Sequence, residues 1–156
     1  VWQIRVAAGE QLPFSQSDIK LNGHAIECRI NAENAATGFS PSTGTVAGYV
    51  APGGPGIRVD SHLYPGYVVP PNYDSLIGKI IAWGTTRDEA VARMRRALSE
   101  TLIVGIDTTI PFYSYVLAQP EYASGKLDTS LIGDFVSRMG ADLNAGAEPV
   151  LANAVP

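Results

Sequence analysis

Glycine and proline divide the middle of the chain into short segments. Between residues 46 and 83 the breaks fall at 52–56, 65–66 and 70–72, which read Pro-Gly-Gly-Pro-Gly, Pro-Gly and Pro-Pro-Asn. Because these residues favour turns and interrupt helices, the apolar alternations between them can form only short strands. We therefore predict an antiparallel β module with strands near 45–50, 57–61, 67–69 and 76–83.

Two local patterns precede this module. Residues 1–8 carry apolar side chains at helical spacing, and Gly9 stands where a helix usually ends. After an Asn-Gly turn dipeptide, apolar and polar residues alternate over 24–31, which predicts a half-buried strand. Residues 34–45 show neither period and are predicted to form a loop.

Helices are predicted after the module. Thr86 and Glu89 have the spacing of a capping box, and apolar residues then recur at intervals of three, four and seven up to Gly105. Pro111 suits the first turn of a second helix that runs to about Ala118.

A third helix is expected from a cap at Asp128 to Gly140. The Ala-rich residues 141–156 are weakly patterned and are predicted to be a linker or a disordered tail. The fold class that follows is α+β, an antiparallel β module with flanking helices.

Charge and composition narrow the class of function. With 15 acidic and 11 basic residues the net charge is -4, and no basic cluster is present, which argues against a nucleic-acid partner. No apolar run approaches the roughly 20 residues that span a bilayer. One cysteine and two histidines provide neither an internal disulfide nor a transition-metal site. We expect a cytoplasmic protein, or one of the mitochondrial matrix if the source is eukaryotic.

Two sequence patterns could have a binding or catalytic role, and each also has a structural interpretation. The glycines of 53–56 can let backbone amides approach a phosphate, but a strand pattern follows where a phosphate loop needs a helix, so a hairpin connection is favoured. Arg58 and Asp60 share one strand face. They form a solvated charge pair, or Arg58 is directed at a polar ligand.

Other reactive side chains also have structural interpretations. His62 can act as a general base or be a surface or hydrogen-bonded histidine. Cys28 lies on the apolar face of its predicted strand and is interpreted as a packing residue. Glu27 and Arg29 lie on the other face and suggest a cross-strand charge pair. A group of polar and aromatic residues can line a pocket or pack turns: Tyr64, Tyr67, Tyr73, Asp74, Ser75 and Lys79.

Several long motifs, in order, resemble the C-terminal part of biotin carboxylase. They are Gly-His-Ala-Ile-Glu-Cys-Arg-Ile-Asn-Ala-Glu at 23–33, Phe-x-Pro-Ser-x-Gly at 39–44, Ala-Pro-Gly-Gly-x-Gly-Ile-Arg-Val-Asp-Ser at 51–61, Gly-Tyr-x-Val-Pro-Pro-x-Tyr-Asp-Ser-Leu-Ile-Gly-Lys at 66–79 and Gly-Ile-x-Thr-Thr-Ile at 105–110. The first motif resembles the acetyl-, propionyl- or methylcrotonyl-CoA carboxylase branch more than the pyruvate carboxylase branch. The resemblance covers about residues 1–139.

This resemblance implies an ATP-grasp ligase that activates bicarbonate with ATP to carboxyphosphate and carboxylates biotin held on a carrier protein. Residues 1–45 would end the ATP-grasp domain, and 46–140 would form the biotin carboxylase C-terminal domain. The residues that bind ATP and Mg²⁺ would lie upstream, so this chain alone is expected to be inactive. Implied partners are the biotin carboxyl carrier, a carboxyltransferase and a second copy in a homodimer.

Residue roles follow from the same resemblance. Arg58 matches an arginine that contacts the biotin ureido oxygen, and Thr129 lies in a segment that borders the adenine pocket. Residues 83–96 resemble a dimer-supporting region, in which Arg87 and Arg93 are equally well explained as solvated helix charges. No metal ligand is implied in this chain. The alternative function is a non-catalytic module for dimerisation or carrier docking.

Two departures from the family pattern concern loop geometry. Asn34-Ala35 replaces the usual Asp-Pro, and Tyr113 stands where many members have histidine.

Overall fold

The computed structural model describes residues 1–125 and 127–144, with side chains described up to residue 140. The helices are α1 (Trp2–Ala7), α2 (Arg87–Glu100), α3 (Ile110–Ala118), α4 (Pro120–Ser124) and α5 (Leu131–Asn144), with 3-10 turns at Gln16–Asp18 and Ala35–Thr37. The strands are β1 (His24–Asn31), β2 (Glu33–Asn34), β3 (Ser40–Pro41), β4 (Gly44–Thr45), β5 (Gly48–Val50), β6 (Ile57–Ser61), β7 (Val68–Val69), β8 (Leu76–Gly84) and β9 (Leu102–Val104).

A three-stranded antiparallel sheet organises the molecule, with β8 between β1 and β6. The strand predicted at 24–31 is confirmed as β1, which pairs with β8 along its length and carries a bulge between Ile30 and Asn31. Because side chains alternate across a strand, the sheet has a buried inner face and an exposed outer one. On β1 the inner residues are Ile26, Cys28 and Ile30.

Helix α2 covers the inner face of this sheet. Met94 and Leu98 are fully buried there, within the same apolar cluster as Ile80. The predicted cap at Thr86 is confirmed, since its hydroxyl accepts a hydrogen bond from the Glu89 amide at 3.2 Å. The reciprocal half of the capping box differs, because the Glu89 carboxylate accepts from the amide and hydroxyl of Thr85.

The predicted end of this helix, at Gly105, is wrong. The helix stops at Glu100, and the backbone becomes extended at Thr101. Leu102–Val104 instead form β9, whose amides and carbonyls pair with β5. An apolar repeat that continues past the end of a helix is compatible with either a longer helix or a strand. Pairing with the distant strand β5 selects the strand.

Short ladders replace the loop predicted at 34–45. Strand β2 pairs with β3, and β4 pairs with β7, each over two residues, which is too short to leave a period in the sequence. The strand predicted at 45–50 is divided into β4 and β5, which pair with different strands. The hairpin predicted at 53–56 is also wrong, because β5 pairs with β9 while β6 pairs with β8.

The last helices form a second apolar cluster. Pro111 lies in the first turn of α3, as predicted, and Phe112 of that helix packs with Phe135 and Met139 of α5. Helix α5 extends past the predicted end at Gly140, to Asn144. The rest of the predicted tail, 145–156, lies outside the described residues.

The helix predicted at the start of the chain is confirmed as α1. It has no buried residue, and residues 1–22 are exposed throughout.

Candidate functional site: the open face of the sheet

The outer face of the three-stranded sheet carries its charges, and we call it the open face. Register places Arg58 of β6 beside Ile81 and Asp60 beside Lys79. On the other side of β8, Glu27 lies beside Ile81 and Arg29 beside Lys79. Two rows of side chains thus cross the sheet, one with Glu27 and Arg58 on either side of Ile81 and one with Arg29 and Asp60 on either side of Lys79.

Arg58 forms a two-pronged ion pair on its own strand. Its Nε donates to Asp60 Oδ1 at 3.0 Å, and its Nη2 lies 2.8 Å from Asp60 Oδ2. These hydrogen bonds and the Asp60 charge raise the pKa of Arg58 above its ordinary value. The side chain remains 72% exposed, which leaves the guanidinium accessible from solvent and fits both interpretations of the pair.

The ion pair of Arg29 with Asp74 is longer than that of Arg58 with Asp60. Its Nη2 lies 3.9 Å from Asp74 Oδ2, beyond hydrogen-bond distance, and its side chain is 49% exposed. The predicted cross-strand pair is present for Glu27, whose Oε1 lies 3.6 Å from Lys79 Nζ. The strand pattern suggested only a structural charge pair for Arg29, although the alternation that buries Cys28 places Arg29 on the same exposed face as Glu27.

A polar cluster supports the edge of the open face near Arg29. The Ser75 hydroxyl donates to Glu33 Oε1, which also accepts from Asn31 Nδ2 at 3.1 Å. Thr109, which is 3% exposed, donates through Oγ1 to the Arg29 carbonyl at 3.2 Å and accepts from the Asn31 amide at 3.1 Å.

The aromatic candidates include a chain of ring contacts, and the thiol candidate lies on the inner face of β1. The His62 ring is edge-on to Tyr67 at 4.9 Å, and Tyr67 contacts Tyr64 at 5.6 Å, whereas Tyr73 is 82% exposed. Cys28 is 3% exposed, and burial raises the pKa of its thiol to about 12, with a smaller contribution from Glu27. Its interpretation as packing is confirmed, because a thiolate nucleophile needs a lowered pKa.

The helix arginines 87, 93 and 96 are tied to backbone carbonyls. Arg87 Nη2 donates to the Tyr122 carbonyl at 2.7 Å, and Arg93 Nη1 donates to the Trp83 carbonyl at 2.6 Å. Arg96 Nη2 donates to the Gly53 carbonyl at 3.0 Å. These hydrogen bonds connect α2 to α4, to β8 and to the glycine-containing loop 53–56. The three arginines are therefore not freely solvated charges.

Thr129 lies in the turn that leads into α5. Its carbonyl accepts from the Ile132 amide at 3.4 Å, and the neighbouring Asp128 Oδ1 accepts from the Ser130 amide at 2.8 Å. The helix cap predicted at Asp128 is wrong, because α5 begins only at Leu131 and the Asp128 carboxylate bonds within the preceding turn.

Residues 1–125 and 127–144 contain neither a candidate metal site nor a candidate membrane-spanning helix. These ranges hold no group of three histidine, cysteine or carboxylate side chains that could bind a metal ion. Within the same ranges, no helix has the length and apolar character needed to cross a membrane.

Known proteins share this fold and sequence. A pyruvate carboxylase subunit from Methanothermobacter thermautotrophicus is 51% identical over 90% of this chain and 28% of its own length. The chloroplastic biotin carboxylase 2 of Populus trichocarpa is 48% identical over 97% of this chain and 28% of its own length. The biotin carboxylase domain dimer of the Hydrogenobacter thermophilus 2-oxoglutarate carboxylase, crystallised with MgADP, ADP and bicarbonate, matches with a TM-score of 0.83 at 48% identity, over 85% of this chain and 29% of that one.

The chain thus spans less than a third of the length of these relatives. Their similar identities do not separate the acyl-CoA carboxylase branch from the pyruvate carboxylase branch, so the branch stays a prediction. Residues 27–134 match the model of the biotin carboxylase C-terminal domain, a range that includes β6, β8, the last five residues of β1 and the charged residues of the open face. The chain therefore belongs to the biotin carboxylase C-terminal domain family.

Proposed function

We propose that this chain is the C-terminal part of an ATP-dependent biotin carboxylase and that its open face supplies an arginine to the biotin ureido group. The family match over residues 27–134 carries the proposal. The complete enzyme would use ATP, Mg²⁺ and bicarbonate to carboxylate biotin on a carrier protein. The carboxyl group would then pass to an acceptor on a carboxyltransferase.

The described residues do not fit a nucleotide phosphate or magnesium site. Their carboxylates form no metal cluster, and the 53–56 loop leads into strand β6 instead of a helix N-terminus. ATP and Mg²⁺ would therefore be bound mainly by the rest of the enzyme. Thr129 remains a proposed contact at the border of the adenine pocket, on the resemblance alone.

A guanidinium on the open face fits the chemistry of biotin. Loss of the ureido proton moves negative charge onto the ureido oxygen, and a fixed cation there stabilises that charge most strongly in the transition state. Arginine is suited to this role because it stays protonated at any working pH. The strand that holds it limits reorganisation during the reaction.

Two arginines compete for this role. The sequence resemblance assigns it to Arg58, which remains a proposal. Asp60 occupies Arg58 only through Nε and Nη2, and a guanidinium carries about five N–H donors in all, so a ligand can bind Arg58 at Nη1 without displacing the pair. Arg29 is the second candidate because its nearest ion-pair contact is at 3.9 Å.

The test is biotin-dependent ATP cleavage in bicarbonate buffer by the complete enzyme that contains this chain. Arg29→Ala and Arg58→Ala are compared with Arg138→Ala, a matched control whose ion pair with Glu121 joins α5 to α4 and not to the sheet. We expect the contacting arginine to cost about 100- to 1000-fold in kcat, as the loss of one oxyanion donor does. If both open-face variants matched Arg138→Ala, the open-face proposal would be wrong.

The chain alone should not cleave ATP. Measurable biotin-dependent cleavage by residues 1–156 in the absence of the remaining enzyme would contradict the division of labour proposed here. A complete enzyme without biotin-dependent activity would instead favour the alternative, a non-catalytic module for dimerisation or carrier docking.

We also propose that the complete enzyme forms a homodimer supported by residues 83–96. The Hydrogenobacter relative is a dimer, and Trp83 is 38% exposed in this region.

The ATP-grasp boundary near residue 45 stays a prediction; β1, which precedes it, pairs with β8, which follows it. The cytoplasm remains the proposed compartment, while the chloroplastic Populus relative gives the mitochondrial matrix no support.

A further inference from the structure

Phe39 has a backbone conformation that bulky side chains rarely adopt. Its φ is 61°, and no other non-glycine residue of 1–125 and 127–144 has a positive φ. In this left-handed region the Cβ atom lies too close to the following carbonyl oxygen, which makes the conformation unfavourable for residues other than glycine. Such a conformation persists only where surrounding contacts compensate for it.

The loop that carries Phe39 joins β2 to β3 and is tied to the segment before α3. The Phe39 amide donates to the Asn34 carbonyl at 2.9 Å. Asn34 Nδ2 donates to Asp107 Oδ2 at 3.0 Å, and the Asp107 amide donates to Ser42 Oγ at 2.9 Å. A relaxed φ at Phe39 would shift the loop relative to these bonds.

The Phe39 ring packs against the second apolar cluster, whose buried members are Ala35, Phe112, Phe135 and Met139. It meets the Phe112 ring edge to face, with the ring centroids 5.2 Å apart and the planes at 88°, an arrangement that aromatic pairs favour. Phe112 belongs to α3, whereas Phe135 and Met139 belong to α5. A ring from the β2–β3 loop therefore contributes to a cluster that two helices share.

This cluster holds α5 on the rest of the molecule. Helix α5 lies against α3 and against the 3-10 turn at Ala35–Thr37. Its ion pair, with Arg138 Nη1 3.1 Å from Glu121 Oε1, joins side chains that are each 42% exposed, so it adds little. Burial of apolar side chains is therefore the stronger of the two interactions that fix α5.

The cluster also fixes the turn before α5. Leu127 and Leu131 lie on either side of residues 128–130, and both side chains pack against the cluster. The Ile132 amide donates to the Thr129 carbonyl at 3.4 Å, which ties the turn to the start of the helix. The position of Thr129 therefore depends on how α5 is packed.

We infer that Phe39 is a positioning residue for the nucleotide, because its ring completes the packing that places α5 and the turn 128–130. The inference rests on the proposed function, in which Thr129 borders the adenine pocket. Phe39 needs no contact with the nucleotide. It acts through the second apolar cluster, and the unfavourable φ is the cost of directing its ring there.

The test uses the complete enzyme with four variants. Phe39→Ala and Phe39→Gly both remove the ring, but glycine alone relieves the left-handed backbone. Phe39→Tyr keeps the ring, and the half-buried position leaves room for a hydroxyl to reach water. Tyr49→Ala is the matched control, because Tyr49 is a half-buried aromatic residue that packs against the other apolar cluster, around Ile80 and Met94.

Kinetic constants separate positioning from a loss of stability. We expect the KM for ATP to rise about fivefold in both Phe39→Ala and Phe39→Gly, an effect comparable to the loss of one hydrogen bond. The kcat should stay within about twofold of the parent, since weaker uniform binding changes KM alone. Phe39→Tyr and Tyr49→Ala should keep the parent's KM for ATP.

Urea unfolding of this chain should rank the same variants differently. Phe39→Gly should have a higher urea midpoint than Phe39→Ala, because alanine keeps the unfavourable φ without the ring that compensates for it. If the ring had only a structural role, the KM for ATP would follow this ranking and recover in Phe39→Gly.

Hydrogen exchange reports the packing of α5 without turnover. In the complete enzyme the α5 amides should exchange at least about tenfold faster in Phe39→Ala and Phe39→Gly, because a helix that loses packing opens more often. Phe39→Tyr and Tyr49→Ala should leave α5 exchange at the parent's rate. The α2 amides should not change in any Phe39 variant.

The outcomes distinguish this inference from the proposed function. A parental KM for ATP in Phe39→Gly, an equal rise in Tyr49→Ala, or a Phe39→Tyr variant as impaired as Phe39→Ala would each overturn the positioning role. A parent enzyme without biotin-dependent ATP cleavage would overturn the proposed function. In that case the exchange rates of α5 would still decide whether Phe39 holds the helix in place.

Discussion

The first 22 residues and the core of β1, β6, β8 and α2 both carry large apolar side chains, yet their burial is opposite. In the first segment, Ile4 is 76% and Leu21 is 99% exposed. In the core, Ile80 is 2% and Met94 0% exposed. The aromatic contact of the first segment is local, Trp2 on Phe14 at 5.8 Å, and at the end of this segment the Asn22 carbonyl accepts a hydrogen bond from Trp83 Nε1 at 3.1 Å.

The contrast shows that an apolar period predicts an element but not its burial. Spacing predicts both helix α1 and helix α2, but α2 alone has a sheet to cover. A helix as short as Trp2–Ala7 has little stability of its own without such packing. We therefore expect the free energy of unfolding to depend on the core and to be nearly insensitive to residues 1–22.

The largest difference should come from truncating an apolar side chain in each region. Ile80→Ala would leave a cavity between the sheet and α2 and should lower the free energy of unfolding by about 2–5 kcal/mol. Ile4→Ala, the matched control, removes the same atoms from an exposed site and should change it by less than about 0.5 kcal/mol. Urea unfolding of this chain measures both, and equal losses would contradict the comparison.

The next effect is a pH dependence confined to the core. Because the pKa of Cys28 rises from 9.0 to about 12 on folding, the native state keeps a proton that the unfolded state loses. The contribution of Cys28 to the free energy of unfolding is therefore fully present below pH 9. It should fall by about 1.4 kcal/mol per pH unit between pH 9 and 12. Urea midpoints at pH 8 and 10 should differ less in Cys28→Ala, and an unchanged difference would refute this origin.

A smaller effect should separate two helix caps of similar chemistry. Thr86 caps α2, and Ser15 forms a capping box with Asp18 in the exposed segment. Thr86→Ala should cost about 1 kcal/mol of unfolding free energy. Ser15→Ala should not change global unfolding, because its turn can open without disturbing the core. Comparable losses in thermal denaturation would show that the segment unfolds together with the core.

The smallest effect is expected at Leu21. Its side chain is almost fully exposed, so Leu21→Ser should change the unfolding free energy by no more than about 0.5 kcal/mol. A larger loss would mean that this side chain is buried in solution, which differential scanning calorimetry at two protein concentrations would trace to association.

The candidate site was predictable only in part. Strand alternation correctly placed Arg58 and Asp60 on one face, because the period of two is a local property. It could not identify the partner of Arg29. Asp74 is 45 residues away in sequence and meets Arg29 only through the pairing of β1 with β8.

The sequence by itself determined where the chain can be extended and where it can be helical. Interactions within a few residues account for the bounds of β1, the cap of α2 at Thr86 and the proline in the first turn of α3. Tertiary structure decided that residues 102–104 leave the helical pattern to pair with β5 and that the glycine loop joins two separate sheets. Such pairings join hydrogen-bonding groups far apart in the chain, so no local period records them.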